Sequence, residues 1–162
     1  LSVTAIAACL KHPQRFAGYH FFNPVPRMPL VEVIRTLHTD DVVVQRVVDA
    51  VEAIGKTPIV IDDRPGFVVN ALLVPYMLSA ARMLDSGYAS KEAIDTGMRL
   101  GAGHPMGPIT LIDLVGLDVL CDVADAMYAE TRDPALVVPN SLRRMVEVGR
   151  LGRKVGRGFF DY

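Results

Sequence analysis

The hydrophobic period of the sequence changes near residues 62–66, and this change constrains the fold more than any other feature. Before it, residues 30–34 and 57–61 form short β-branched apolar runs of strand length. After it, apolar residues recur at the i, i+3, i+4, i+7 spacing of helices, and no comparable strand follows. The sequence therefore predicts an α/β part over residues 1–63 and an all-α part over residues 64–162.

The first part is predicted to run helix, strand, strand, helix, strand. Ser2 or Thr4 can cap a short first helix, and a strand is expected over residues 16–22. Asp40 precedes an apolar pattern of helical spacing that Gly55 ends, between the two β-branched runs. This order is typical of half of an α/β domain with a parallel sheet.

The second part is predicted to contain at least three helices. A long first helix follows residue 66, with Pro75 inside it, and Ser90 can cap a second. A third helical region over residues 109–120 is apolar almost all round, and Gly116 can break it. A helix of this kind is buried on several sides, so the sequence predicts packing against a second subunit in a homodimer.

Composition excludes several classes of protein. The chain has 162 residues, 51% of them hydrophobic, and a net charge of −1 without blocks of like charge, so neither nucleic acid nor an anionic membrane surface is an expected partner. The apolar stretch 67–81 is shorter than the roughly 20 residues of a membrane span. Cys9 and Cys121 lie far apart without metal-ligand spacing, which predicts a reducing, cytoplasmic compartment and no metal site.

His20 and Glu32 are the candidate catalytic pair. His20 lies near the end of a strand where prolines turn the chain, and Glu32 lies inside an apolar run where a carboxylate needs a partner. If the two strands were neighbours in a parallel sheet, the pair would meet near one end, as a general base and its orienting carboxylate. The alternative is that His20 is structural, which is the more frequent role of a lone histidine on an apolar strand.

Four segments resemble the (S)-3-hydroxyacyl-CoA dehydrogenase family, in family order and across essentially the whole chain. They are residues 18–33, which begin Gly-Tyr-His-Phe-Phe-Asn-Pro; residues 62–76, with Pro-Gly-Phe-Val-Val-Asn from residue 65; residues 100–108, Leu-Gly-Ala-Gly-His-Pro-Met-Gly-Pro; and residues 152–160, Gly-Arg-Lys-Val-Gly-Arg-Gly-Phe-Phe. Within the family the chain looks most similar to the single-function 3-hydroxybutyryl-CoA dehydrogenases.

The resemblance implies a fold, a reaction and a cofactor. The expected fold is the C-terminal part of a Rossmann-type NAD-binding domain, followed by a helical domain that binds substrate and forms the dimer. The expected reaction is oxidation of a short (S)-3-hydroxyacyl-CoA, such as 3-hydroxybutyryl-CoA, to the 3-oxoacyl-CoA with NAD as hydride acceptor. Fatty-acid degradation and butanoate metabolism both use this chemistry.

The resemblance also implies residue roles. His20 matches the family's base, and Glu32 matches the acid on its far ring nitrogen. Asn70 matches an asparagine that fixes the histidine or the thioester carbonyl, with a helix-start cap as the alternative. Asn23 and Lys154 match residues that contact the cofactor, although Lys154 lies among arginines, as a solvated surface lysine would.

The sequence departs from the family pattern at its start. The Gly-x-Gly-x-x-Gly turn, the acidic residue for the ribose, the serine expected just ahead of Leu1 and the helical segment that closes over CoA are not found in it. These 162 residues are therefore expected to be the C-terminal part of a longer enzyme and to be inactive alone. The alternatives are a helical dimerisation module without catalysis and a related dehydrogenase of free hydroxy acids.

Overall fold

The computed structural model describes residues 2–162 and divides the chain into two units, Leu1–Val69 and Asn70–Tyr162. The sequence places the boundary slightly earlier, after residue 63. Val68 and Val69 belong with the first unit, because their N–H groups donate hydrogen bonds to Glu32 in its sheet.

Within residues 2–68, the first unit has two α-helices and three strands in the predicted order, with a short 3-10 helix (Pro13–Arg15) between the first helix and the first strand. They are α1 (Val3–Ala8), β1 (Gly18–Phe21), β2 (Leu30–Arg35), α2 (Asp41–Ala53) and β3 (Thr57–Asp62). The apolar side of α2 covers the sheet, and together they bury a core of valines on β2 and α2: Val31, Val33, Val44, Val47 and Val51. The β-branched runs become strands because their side chains pack well on a pleated surface.

The sheet is mixed, with strand order β1-β2-β3. β2 and β3 are parallel and joined through α2, whereas β1 and β2 are antiparallel. The expectation that β1 and β2 are parallel is therefore wrong. The reason is the length of their connection, residues 22–29, because a parallel crossover needs about a dozen residues or more.

The start of α1 is held at the end of β3. The Ser2 hydroxyl accepts a hydrogen bond from the Ala5 N–H at 3.1 Å, as a helix cap does. The Asp63 carboxylate accepts hydrogen bonds from the Thr4 N–H at 2.7 Å and the Ser2 hydroxyl at 3.0 Å. Burial alone would raise the pKa of Asp63, but these hydrogen bonds outweigh it and the pKa is lowered.

The second unit is helical. Its helices are α3 (Val69–Asp85, which begins at the last residue of the first unit), α4 (Lys91–Gly101), α5 (Pro108–Val115), α6 (Leu117–Thr131) and α7 (Asn140–Glu147). Two predictions from the sequence are confirmed. The Ser90 hydroxyl caps α4, and Gly116, at φ 103°, separates α5 from α6. A side chain at that φ would be strained, so glycine allows the third helical region to break there.

Two buried aspartates hold the second unit together. Asp95 accepts hydrogen bonds from the N–H groups of Ile109 and Thr110 at the start of α5. Asp113 is fully buried and accepts hydrogen bonds from the N–H groups of Phe159 and Phe160, which fixes the C-terminal tail against α5. Both carboxylates therefore satisfy backbone donors that would otherwise be unpaired.

Two further observations concern residues 2–162. No helix in this range is long and apolar enough to cross a membrane. No group of three or more histidine, cysteine, aspartate or glutamate side chains in the range is placed to hold a metal ion. Cys9 is exposed, Cys121 is buried, and both are free thiols.

Candidate active site

His20 and Glu32 lie directly opposite each other on β1 and β2. His20 Nδ1 is 2.6 Å from Glu32 Oε2, the Glu32 side chain is fully buried, and the His20 side chain is 30% exposed. A carboxylate only accepts hydrogen bonds, so Nδ1 carries the proton in this pair. In the neutral imidazole, the other ring nitrogen, Nε2, then carries the lone pair that can accept a proton from a substrate.

The second oxygen of Glu32 is held by the backbone. Oε1 accepts hydrogen bonds from the N–H groups of Val68 at 2.9 Å and Val69 at 3.0 Å, where α3 begins. The first N–H groups of a helix have no partner within it, so a carboxylate there is favourable. Both oxygens of this buried carboxylate are thus satisfied, and Glu32 is fixed in one orientation toward His20.

Two aromatic rings contact the imidazole. The Phe22 ring lies edge-on, with centroids 4.7 Å apart and planes at 64°, and the Phe67 ring is tilted, at 5.3 Å and 55°. Tyr19 and Phe21 alternate to the other face of β1 and stack on each other there. His20 is therefore held by one hydrogen bond and two ring contacts, with part of its ring open to solvent.

Asn23 lies in the same unit as this pair. It is exposed, two residues beyond the end of β1, and its peptide bond to Pro24 is cis. Its role in contacting a cofactor stays a prediction.

Asn70 and Lys154 lie in the second unit. Asn70 is the second residue of α3 and so does not occupy the cap position, and its amide has no hydrogen-bond partner within residues 2–162. Lys154 Nζ lies 2.6 Å and 2.5 Å from the two carboxylate oxygens of Asp118. The Lys154 ammonium hydrogen-bonds the Asp118 carboxylate and lowers its pKa. The structure thus brings His20 and Glu32 together, while the roles of Asn70 and Lys154 stay predictions.

Sequence reasoning missed the contribution of residues 67–69. The turn at Pro65 and Gly66 indicates that a helix begins just after it, and a carboxylate in a buried strand, such as Glu32, needs a partner. Together these two signals could have predicted the hydrogen bonds from Val68 and Val69. Nothing in the sequence indicates the Phe67 contact, which depends on an unusual backbone conformation at that residue.

Two family models match the chain. The model described as the 3-hydroxyacyl-CoA dehydrogenase NAD binding domain matches residues 1–64, and the model described as the C-terminal domain of the same enzyme matches residues 66–162.

Named relatives are similar over the full length of the chain. A 3-hydroxybutyryl-CoA dehydrogenase of Mycobacterium tuberculosis is 51% identical, and the mitochondrial hydroxyacyl-coenzyme A dehydrogenase of Homo sapiens is 47% identical. The crystal structure of (S)-3-hydroxybutyryl-CoA dehydrogenase PaaH1 from Ralstonia eutropha superposes with a TM-score of 0.96 at 46% identity, over 100% of this chain and 57% of that chain. All of this chain aligns with each curated relative, but it spans 57% of the Mycobacterium protein and 52% of the human one.

Proposed function

Because the chain belongs to the 3-hydroxyacyl-CoA dehydrogenase family, we propose that the protein that carries it oxidises (S)-3-hydroxyacyl-CoA to 3-oxoacyl-CoA with NAD. The observation that carries the proposal is the buried Glu32 carboxylate 2.6 Å from His20 Nδ1. The relatives named 3-hydroxybutyryl-CoA dehydrogenase favour a short acyl chain.

His20 is the general base of the proposed reaction. Nε2 takes the proton of the 3-hydroxyl as the carbonyl forms, and Glu32 stabilises the imidazolium through Nδ1–H. In the reverse direction the same nitrogen returns the proton. The cofactor, NAD, would supply the acceptor for the hydride of C3.

The remaining residue roles rest on the match to the family pattern. Asn23, exposed just beyond the strand that carries His20, and Lys154 are proposed to contact the cofactor. Lys154 would have to share or leave its ion pair with Asp118 to do so. The Asn70 amide, which has no hydrogen-bond partner within residues 2–162, is proposed to hydrogen-bond the thioester carbonyl of the substrate.

The test uses the complete protein with NAD and (S)-3-hydroxybutyryl-CoA, following NADH by absorbance. His20→Gln should lower kcat by about 10²–10⁴-fold, the range that general acid–base catalysis contributes. His38→Gln is the matched control, because His38 is an exposed histidine of the same unit and should leave kcat unchanged. Full activity of His20→Gln would contradict the proposal. Oxidation of free hydroxy acids but not of the CoA thioester would favour the related hydroxy-acid dehydrogenases instead.

We also infer that the second unit forms a homodimer. Its apolar third helical region buries Ile109 and Ile112 in its own core, but Leu114 is 50% exposed and Val119 is 41% exposed. On α3, Leu72 is 73% exposed. A second subunit would remove such side chains from water. Analytical ultracentrifugation of the complete protein tests this inference, and a monomer at micromolar concentration would overturn it.

The compartment is inferred from the cysteines. Cys9 and Cys121 remain free thiols, which supports a reducing, cytoplasmic location for the protein. Localisation of the tagged complete protein by microscopy tests it, and a location in an oxidising compartment would contradict it.

A further inference from the structure

Phe67 adopts a backbone conformation that a bulky side chain rarely adopts. Its φ is 51°, and within residues 2–162 Arg132 is the one other residue besides glycine with a positive φ. The left-handed region crowds the Cβ atom of an L-residue, so a phenylalanine there is strained. Strain of this kind persists where the surrounding structure imposes it, and it is concentrated at functional sites.

The conformation of Phe67 has two consequences at the His20 pair. It brings the Phe67 ring to 5.3 Å from the imidazole, between centroids. It also lets the next two residues, Val68 and Val69, aim their N–H groups at Glu32 Oε1. Residues 67–69 thus contact both members of the pair, His20 through the Phe67 ring and Glu32 through two backbone N–H groups.

The hydrogen bond to Glu32 does not by itself fix the imidazole. It holds one ring atom, Nδ1, and still leaves the ring able to tilt by small rotations about the Cα–Cβ and Cβ–Cγ bonds. The Phe22 ring, 4.7 Å away, and the Phe67 ring restrict this tilt because they meet the imidazole at 64° and 55°. Aromatic pairs favour such inclined arrangements over parallel face-to-face contact.

We propose that Phe67 is a positioning residue that, with Phe22, holds the His20 imidazole so that Nε2 faces the substrate hydroxyl in one orientation. This inference rests on the proposed function for its kinetic consequence. Orientation matters to rate, because a displacement of about 1 Å at a reacting group can cost on the order of 10²-fold. A residue that acts only by positioning the base predicts a loss in kcat with KM nearly unchanged.

Three variants of the complete protein separate the ring from the backbone. Phe67→Leu removes the aromatic ring, Phe67→Tyr keeps it, and Phe67→Gly removes the ring while relieving the backbone strain. Phe16→Leu is the matched control, since Phe16 lies in the same unit and makes no ring contact with His20. We expect Phe67→Leu and Phe67→Gly to lose about 10–100-fold in kcat with KM within about threefold, and Phe67→Tyr and Phe16→Leu to retain activity.

The imidazole nitrogens of His20 provide a readout that does not depend on activity. In NMR spectra of ¹⁵N-labelled protein, the His20 Nδ1–H should give one sharp, slowly exchanging signal in the unsubstituted protein and in Phe67→Tyr. In Phe67→Leu and Phe67→Gly the signal should broaden and exchange faster, because the imidazole can then move. A sharp, slowly exchanging signal in both of these variants, or an unchanged kcat in both, would overturn the proposal. If the unsubstituted protein does not oxidise hydroxyacyl-CoA, the proposed function fails, and the NMR comparison alone decides the positioning role of Phe67.

Discussion

Replacement of Glu32 by glutamine tests how the His20 pair works. Glutamine has nearly the shape of glutamate, and its amide oxygen can still accept the Val68 and Val69 N–H groups as Oε1 does. Its NH₂ group then faces His20 Nδ1 where Oε2 now lies. Because the NH₂ group is a donor, Nδ1 must become the acceptor and the proton moves to Nε2. The base is then blocked, since Nε2 has no lone pair left for the substrate proton.

The expected loss in kcat for Glu32→Gln is large, and the loss in stability is small. A wrong histidine tautomer costs on the order of 10⁴-fold in a comparable histidine–carboxylate pair. The fold loses the difference between a charge-assisted and a neutral hydrogen bond, about 1 kcal/mol. KM for the acyl-CoA should stay within about threefold, because the change acts on the proton transfer.

Glu32→Ala is the contrasting variant. It leaves two N–H groups unpaired beside a buried site, at about 1–3 kcal/mol each, and so about 2–6 kcal/mol in total before any cavity. Steady-state kinetics with NAD and urea unfolding of the complete protein measure the two effects separately. The reasoning fails if Glu32→Gln keeps kcat within tenfold, or if it destabilises the fold as much as Glu32→Ala does.

Two further predictions follow from shifted pKa values. Burial raises the pKa of the Cys121 thiol to about 11, whereas Cys9 is exposed. Iodoacetamide near neutral pH should therefore alkylate Cys9 and leave Cys121 unmodified until the protein unfolds, as measured by peptide mass spectrometry. Equal labelling of both cysteines in the folded protein would contradict this prediction. The Lys154 hydrogen bond lowers the pKa of Asp118 below 3.8, so their pair stabilises the fold above that pH and the contribution is lost as the pH falls through the lowered value. Lys154→Met should therefore cost up to about 1 kcal/mol near pH 6 in urea unfolding, because the pair is partly exposed, and less near pH 2. An equal cost at both pH values would refute the linkage.

The sequence predicts local features of the fold well. The β-branched runs become β2 and β3, the apolar pattern after Asp40 becomes α2, and Ser90 caps α4 as its position suggests. Each of these depends on side chains a few residues apart, which a sequence displays directly. Glu32 is predictable in the same way, because a carboxylate inside a buried strand needs a partner and His20 is the nearest candidate.

Contacts between distant segments are less predictable. The direction of β1 against β2 depends on how a short loop closes, and the sequence pattern alone suggested a parallel sheet. The apolar third helical region predicts burial on several sides, and in the single chain Ile109 and Ile112 are buried while Leu114 is exposed. For β1 the local pattern is correct and the strand direction is not, whereas the packing of Leu114 against a second subunit stays a prediction.

The sequence by itself determined the two-part organisation, the identity of the candidate base and its carboxylate, and the family. The tertiary structure decided that His20 and Glu32 face each other across an antiparallel pair, that backbone N–H groups hold the second oxygen of Glu32, and that Phe67 contacts the imidazole through a left-handed turn. The physical reason is that periodicity and residue chemistry are local properties. Strand pairing, hydrogen bonds to a helix start and ring contacts depend on which distant groups the folded chain brings within a few ångströms.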